Sequence, residues 1–341
     1  MLKKLLTKVV PRPILKIGKG IVVSASLWKA NTYDARRYRK FSSSVTSLDG
    51  KHNLAAMITE RYHSIEKGLS LPSPRKGFGS RALSDLLKLT GEYRKKYGED
   101  GLTETVSAVL AAYLEFNSSL GTPREDIPFL GEIELLISEL GTATFTAGTR
   151  PVVKGDVLRA VDGVDLNFFE SRYSVRQFSD MPVSREDIEF ATLAAQKSPA
   201  VCNRQFGKIY AYTDPAEIAR LLSIQGGANG FGDGLTGLAI VTTNLRSYWN
   251  DGQRNQAWVD GGLFAMSFML GLHARGLGAV ALNWSKGPGR DQLLRAEADI
   301  PQDEVIIMFV GFGNLRDEFR VASSPRLPLD QALTFPEPRR G

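Results

Sequence analysis

Cysteine and histidine are scarce in this sequence, and their scarcity excludes several kinds of site. A single cysteine, Cys202, stands among 341 residues, so an intrachain disulfide is excluded. A reducing cytoplasm is the simplest setting for such a chain. Three histidines and one cysteine also argue against a structural zinc site. We therefore expect a cytoplasmic protein without a bound metal.

Long apolar runs are also missing. No segment reaches the ~18 consecutive apolar residues of a membrane-spanning helix. Lys and Arg number 43 against 37 Asp and Glu, which gives a net charge of +6. No dense basic run interleaved with aromatic residues occurs, which argues against a nucleic-acid-binding protein. The mild basic excess still allows phosphate-bearing ligands or contact with an anionic surface.

The N-terminal stretch MLKKLLTKVVPRPILKIGKGIVVSASLWKA combines basic residues with the apolar run GIVVSASLW. Pro11, Pro13 and the scattered lysines make it a poor signal peptide. Two interpretations remain open. The sequence favours an arm packed on the body of its own chain, and the alternative is a basic amphipathic strip that makes weak contact with a membrane surface.

The spacing of apolar residues divides the chain near residue 150. Four segments between residues 48 and 140 carry apolar residues at three- and four-residue steps, which predicts helices. GTATFTAGTRPVVKGD resembles a linker, and strand-like runs begin only after it, at 208–213, 237–243, 278–284 and 305–313, with helical segments between them. We therefore predict a helical extension over residues 1–150 and a domain of helices and strands over residues 151–341.

The stretch SRYSVRQFSD, residues 171–180, is a candidate anion site. Arg172, Ser174 and Arg176 alternate along it, so in an extended segment they point to the same side. Two guanidinium groups and a hydroxyl suit a phosphate, because Arg offers a fork of donors that matches phosphate geometry. The alternative is a solvated charged face that precedes a helix.

Three further pieces follow this stretch in the second domain. Ser198, Asn203 and Gln205 lie between a helix and a strand, and amides that donate and accept at once suit the edge of a heterocycle, with turn chemistry as the alternative. DGGLFAMSFMLGLHARGLGAVALNW contains a long apolar helix at about 259–274 and then a buried strand. The last piece, GFGNLRDEF with the later SPRLP, ends a strand and brings in Arg326.

Taken in this order, the four pieces resemble the FMN-dependent nitroreductase family over roughly residues 168–335. The resemblance implies an α+β nitroreductase-like fold and a homodimer with FMN bound between the subunits. It also implies that NAD(P)H reduces FMN and that the flavin passes electrons to a second, small-molecule substrate. No catalytic side chain is implied, because the flavin carries the chemistry.

The resemblance also implies which residues contact the cofactor. Those at the phosphate and the adjoining ring are Arg172, Tyr173, Ser174, Arg176, Ser324 and Arg326. Ser324 stands where the family often has a lysine, which removes one charge. Those that line the flavin, commonly from the partner subunit, are Ser198, Pro199, Asn203 and Gln205. Those that pass the flavin N5 are Leu282, Asn283 and Trp284, and we expect the tryptophan to crowd one side of the ring.

The helical extension contains one unusual stretch, ERYHSIEKGLSLPSPRKGFG. His63, Glu66 and Lys67 share a helix face, which favours a solvated ion-paired surface over a proton-transfer or anion site. Such extended chains resemble nitroreductase-like proteins of bacterial cell-surface polysaccharide pathways. The alternative to a general reductase is therefore a divergent flavoprotein, acting as a specialised modifying enzyme or a binding partner in such a pathway.

Overall fold

A computed structural model of the chain describes residues 12–44, 50–141, 145 and 147–338. Within these residues the chain forms twelve α-helices and one four-stranded sheet. The helices that precede the sheet are α1 (Arg12–Phe41), α2 (Lys51–Leu69), α3 (Ser80–Tyr97), α4 (Gly101–Ser119), α5 (Leu130–Leu140), α6 (Lys154–Ala160), α7 (Leu166–Glu170) and α8 (Arg185–Gln196).

The sheet and its helices follow in the second part of the chain. Their order is β1 (Gly207–Tyr212), α9 (Pro215–Gln225), β2 (Gly237–Asn244), α10 (Gln256–Ala274), β3 (Leu277–Asn283), α11 (Pro288–Glu297), β4 (Glu304–Asn314) and α12 (Leu329–Ala332). The strands lie in the order β1-β2-β4-β3, and each neighbouring pair is antiparallel. The predicted α+β class with a helical N-terminal part is confirmed.

Helices cover both faces of the sheet. Alternate residues of the central strands point to opposite sides, so these strands contribute side chains to both cores. On one face, Phe268 of α10 packs in a buried cluster with Val310 of β4. On the other face, Leu221 of α9 and Leu294 of α11 pack in a second cluster with Phe309. The central strands β2 and β4 therefore carry near-continuous apolar runs, and these runs made both strands predictable from the sequence.

Helices α8 and α10 approach each other closely on the first face. A Cβ added at Gly271 of α10 would lie 2.7 Å from the Cα of Ala191 in α8. Only glycine therefore fits this crossing, which lets the two helices pack closely. The loop that leaves α8 at residue 198 contains four of the candidate site residues.

Helices α2 to α5 enclose a separate apolar core. Its members are fully or almost fully buried and include Leu54, Ile58, Leu86, Val109 and Tyr113. Helix α4 starts at a capping box, in which Asp100 accepts from the amide of Leu102 and Thr103 accepts from the amide of Asp100. The helices predicted between residues 48 and 140 are therefore present, with bounds that differ by a few residues.

Helix α1 lies within the predicted helical extension, although the sequence did not single it out, and its second half packs on the sheet part of the chain. Arg37 is buried and donates to the carbonyl oxygens of Gln302 and Glu304, and Phe41 joins the cluster beneath α10. These contacts begin after residue 30, so the interpretation of residues 1–30 as an arm packed on its own chain stays a prediction, and residues 1–11 of that stretch lie outside the described residues. The boundary at residue 150 stays a prediction. Of the helices that the structure describes, none is both long and apolar enough to cross a membrane.

Candidate functional site

The stretch that holds the predicted anion site runs along the free edge of β3. The amide of Val175 donates to the carbonyl of Ala279 at 3.0 Å, and Ser174 pairs with Ala279 in a parallel bridge. Val175 and Phe178 point into the core, where both are almost fully buried. These contacts fix the backbone, and they leave Tyr173, Ser174 and Arg176 exposed.

A cleft of about 520 Å³ lies between this stretch and the segment after β4. We call it the arginine cleft; its walls include the candidate residues Arg172, Tyr173, Ser174, Ser324 and Arg326. The structure thus brings together two arginines and two serines that are about 150 positions apart in the sequence. Glu170 also lines the cleft and contributes one opposing charge.

Arg176 lies elsewhere, although it was expected on the same side as Arg172 and Ser174. Its Cζ atom is 5.8 Å from the centroid of the Phe231 ring, and its guanidinium donates to the carbonyl of Ser174 at 3.3 Å. Val175 is buried between the exposed Ser174 and Arg176, but the guanidinium of Arg176 turns toward Phe231. Arg176 therefore does not line the arginine cleft with Arg172 and Ser174, and its expected contact with the cofactor stays a prediction.

Residues 198–205 form a loop, here called the amide loop, with an unusual backbone. Cys202, Asn203 and Gln205 have φ angles of 50°, 55° and 51°, in the left-handed region that favours glycine. The Gln205 amide donates to the side-chain oxygen of Asn203 at 2.9 Å. Such strain persists only where surrounding contacts impose it, and it concentrates at functional sites.

Arg204 supplies one of those contacts, and the sequence did not single it out. Its side chain is almost fully buried and lies over Trp249, with the Cζ atom 3.3 Å from the ring centroid. It donates to the Ser247 carbonyl at 2.8 Å, and a carboxylate oxygen of Glu60 in α2 lies 3.8 Å away. The available signal was a charged residue inside a run of small and amide side chains.

Asp260, near the start of α10, supports the loop from the other side. Its carboxylate accepts from the hydroxyl of Tyr248 at 3.2 Å and from the amides of Gln256 and Val201. Burial, and then the charge of Asp260, raise the pKa of Tyr248, so this hydroxyl keeps its proton and donates. A small cavity of about 50 Å³ lies between these groups and the candidate residues Ser198, Pro199 and Gln205.

The end of β3 differs from the expectation for Trp284. Its side chain is 8% exposed, stacks on Phe309 with ring centroids 5.4 Å apart, and donates to Asp291 at 2.9 Å. Leu282 is buried in the same core cluster. The Trp284 side chain is therefore held in the core, which gives no support to the expectation that it crowds the flavin. Asn283 faces the opposite, exposed side of the strand.

The helical extension contains a close contact between two of the residues singled out from its sequence. Nδ1 of His63 lies 3.0 Å from a carboxylate oxygen of Glu66, and both side chains are partly exposed on α2. Lys67, beside them, is exposed. This geometry fits the solvated ion-paired surface that the sequence favours, and the residues that line the arginine cleft and the small cavity come from other segments.

Comparison with known proteins identifies the second part of the chain. Residues 169–233 and 223–314 match the model of the nitroreductase family. The matched range contains the stretch at 171–178, the amide loop and all four strands of the described sheet. The resemblance stated from the sequence motifs, and the nitroreductase-like fold that it implies, are confirmed. No curated protein matches the sequence.

Solved structures align with about half of this chain. An FMN-dependent nitroreductase from Clostridium difficile is 17% identical, with 51% of this chain and 99% of that chain covered and a TM-score of 0.44. A Desulfovibrio desulfuricans protein described as a nitroreductase in complex with FMN is 21% identical, with 51% and 97% covered and a TM-score of 0.43. Nitroreductase A from Vibrio parahaemolyticus is 17% identical, with 51% and 75% covered and a TM-score of 0.41.

Proposed function

We propose that this chain, in which residues 169–314 form a nitroreductase-family domain, is an FMN-dependent oxidoreductase that takes electrons from NAD(P)H. The observation that carries the proposal is the arginine cleft, where Arg172, Ser174 and Arg326 line one space of about 520 Å³. Two guanidinium groups and a hydroxyl form the donor set that a phosphate requires. The volume of the cleft falls within the range of cofactor sites.

The residues of the cleft divide the binding of FMN among them. Arg172 and Arg326 hold the phosphate by charge-assisted hydrogen bonds, and Ser174 adds a hydroxyl donor. Ser324 offers a hydroxyl but no charge, so this site holds its phosphate with fewer cations than a site with lysine there. The carboxylate of Glu170 lowers the positive potential of the cleft further, which favours a ligand with one phosphate group over one with several.

The amide loop supplies the other part of the site. FMN, when bound, supplies the hydride chemistry, and the protein orients it and excludes water around it. The amides of Asn203 and Gln205 offer both donors and acceptors to a heterocycle, and the strained backbone holds them in one arrangement. Arg204 and Asp260 act behind the loop and position it without contact to the flavin.

A homodimer completes the proposed site. Trp258, Val259, Leu263 and Met266 lie on one side of α10, and all four side chains are exposed in the single chain. A contiguous apolar side of this kind is typical of a protein interface. In the dimer, the amide loop of one subunit lines the flavin held by the arginine cleft of its partner.

The experiment uses the purified full chain. We expect a yellow protein with an FMN absorbance spectrum, and we expect NADH or NADPH to bleach it under anaerobic conditions. Reoxidation by added quinone or nitroaromatic acceptors then measures electron transfer to a second substrate. A protein that binds FMN but is bleached by neither nucleotide contradicts the reductase and supports a divergent flavoprotein. A protein that does not bind FMN contradicts the whole proposal.

A further inference from the structure

The positive charge of this protein is concentrated at its N-terminal end. Residues 1–30 contain seven Lys and Arg side chains and no Asp or Glu. The rest of the chain holds 36 basic and 37 acidic side chains, so its net charge is −1. The entire basic excess of the protein therefore belongs to a short segment that ends within α1.

The first half of α1 extends away from the body of the protein. Every side chain that the structure describes between residues 17 and 29 is exposed, whereas Tyr33, Arg37 and Phe41 contact the sheet part. Helix α1 has 30 residues, so at 1.5 Å per residue its full length is about 45 Å. The first half therefore carries apolar side chains that its own chain does not cover.

These apolar side chains form a stripe. Ile17, Ile21 and Trp28 are four and seven residues apart, so they lie on the same side of the helix. They are 64%, 65% and 70% exposed. Val22 and Leu27 are also exposed and widen the apolar surface. We call Ile17, Ile21 and Trp28 the arm stripe.

A second feature lies where this half of α1 meets the body. A cleft of about 350 Å³ opens between α1 and the start of α11, and Trp28, Lys29, Tyr33 and Arg36 line its α1 side. Lys29 and Arg36 are seven residues apart and so share one side of the helix. Two cations beside two aromatic rings form a surface suited to lipid headgroups, where aromatic residues also concentrate.

We propose that the first half of α1 docks this protein on an anionic lipid bilayer. The arm stripe enters the boundary between headgroups and acyl chains, and Lys29 and Arg36 contact anionic headgroups. Each Lys or Arg near an anionic leaflet adds attraction, and the segment has no acidic residue to oppose it. Charge disfavours a second copy of the chain as the occupant, because two segments of +7 repel each other.

The experiment measures co-sedimentation of the full chain with vesicles. One set is phosphatidylcholine alone, and the other contains about one third phosphatidylglycerol. We expect affinity for the anionic vesicles to be higher by about tenfold or more, and to fall by a similar factor when the salt rises from about 0.1 to 0.5 M. Equal binding to both vesicle types, or no binding to either, would overturn the proposal.

Two variants and a matched control locate the contact. Ile21→Glu/Trp28→Glu removes part of the arm stripe, and Lys29→Gln/Arg36→Gln removes the cations of the cleft; each should weaken binding about tenfold or more. Leu71→Glu/Leu135→Glu adds the same two charges at positions that are 58% and 59% exposed and should bind as the unchanged chain does. All altered residues are exposed, so circular dichroism should give unchanged melting.

Light scattering and a nucleic-acid control separate the other occupants. If Ile21→Glu/Trp28→Glu halves the mass of the particle while vesicle binding is unchanged, the arm stripe is an interface between copies and the proposal is wrong. If a duplex DNA competitor binds the chain more tightly than the anionic vesicles do, the charge serves nucleic acid and the proposal is also wrong. Unchanged mass with lost vesicle binding supports it.

Discussion

The hydroxyl of Tyr33 donates a 2.7 Å hydrogen bond to the carboxylate of Asp291, although 258 residues separate them in the chain. The same carboxylate accepts from the Trp284 indole at 2.9 Å and from Arg295 at 2.7 Å. Burial disfavours its charge, but Arg295, Trp284 and Tyr33 outweigh that effect and hold the pKa of Asp291 below its ordinary value. One carboxylate thus joins α1 and the end of β3 to α11.

Removing this charge should destabilise the protein strongly. In Asp291→Asn, Arg295 keeps its charge in a site where its side chain is only 1% exposed, which costs about 3 kcal/mol in the free energy of unfolding. Urea unfolding followed by circular dichroism at neutral pH measures the loss. Asp317→Asn alters an exposed carboxylate and should change stability by less than about 0.5 kcal/mol. Equal losses in the two variants would contradict the role of Asp291.

The lowered pKa of Asp291 also predicts a pH dependence. The folded state favours the ionised carboxylate, so its contribution is present above the unfolded pKa of about 3.9 and is lost as the pH falls through the lower folded pKa. The unfolding free energy should therefore fall below about pH 4, and less steeply in Asp291→Asn than in the unchanged chain. Unfolding curves at a series of pH values test this, and parallel profiles would refute it.

The arginine cleft predicts the cost of losing either cation. Arg172→Ala and Arg326→Ala should each weaken FMN binding about ten- to hundredfold, since each removes a charge-assisted hydrogen bond worth about 1.5–3 kcal/mol. Riboflavin lacks the phosphate, so its affinity should not change in Arg326→Ala. Arg185→Ala, which removes an exposed ion pair on α8, is the control. Full FMN retention in the double variant Arg172→Ala/Arg326→Ala would refute the assignment.

The backbone of the amide loop predicts opposite effects for two substitutions at one position. Cys202 has a φ of 50°, which glycine adopts freely and β-branched residues strongly disfavour. The free energy of unfolding of Cys202→Val should be about 1–2 kcal/mol lower than that of Cys202→Gly. Ala200→Val is a control, because the backbone at residue 200 is extended with a φ of −129°, a conformation that valine adopts without strain. If the valine and glycine variants at 202 melt alike, the loop does not hold this conformation in solution.

The apolar side of α10 predicts how the dimer can be broken. Leu263→Asp places a charge at the centre of the proposed interface, and burying it without a partner is unfavourable. Light scattering should then fall from about twice 37.4 kDa to the mass of one chain. Leu135→Asp, at an exposed position of α5, should leave the dimer intact. A chain that is monomeric before mutation would contradict the proposed homodimer.

Two sets of elements could be predicted because the local sequence pattern determines them: the four strands, and the helices between residues 48 and 140. Central strands buried on two faces read as apolar runs, and amphipathic helices repeat every three to four residues. Helix α1 could not be predicted in this way. Pro13, Gly18 and Gly20 suggest a break, yet proline is tolerated in the first turn, and contacts of Arg37 and Phe41 with distant residues support the rest.

The positions of Trp284 and Arg204 could not be predicted, because both depend on distant partners. Trp284, which follows β3, turns into the core toward Phe309 and Asp291, and its own neighbours in sequence do not reveal these partners. Arg204 is buried although arginine is usually exposed, because Trp249 covers its guanidinium. The arginine cleft itself was predicted only through the family resemblance, since nothing in the local sequence joins residue 172 to residue 326.

The contact between Tyr33 and Asp291 has a consequence for synthesis of the protein. Tyr33 leaves the ribosome 258 residues before its partner, and at about 5–20 residues per second that interval is roughly 10–50 s. Helices α2 to α5 share a core of their own and can fold during this time. The inner end of α1 cannot, so Arg37 and Phe41 remain exposed on the nascent chain, where chaperones can bind them, until α11 and β4 are made.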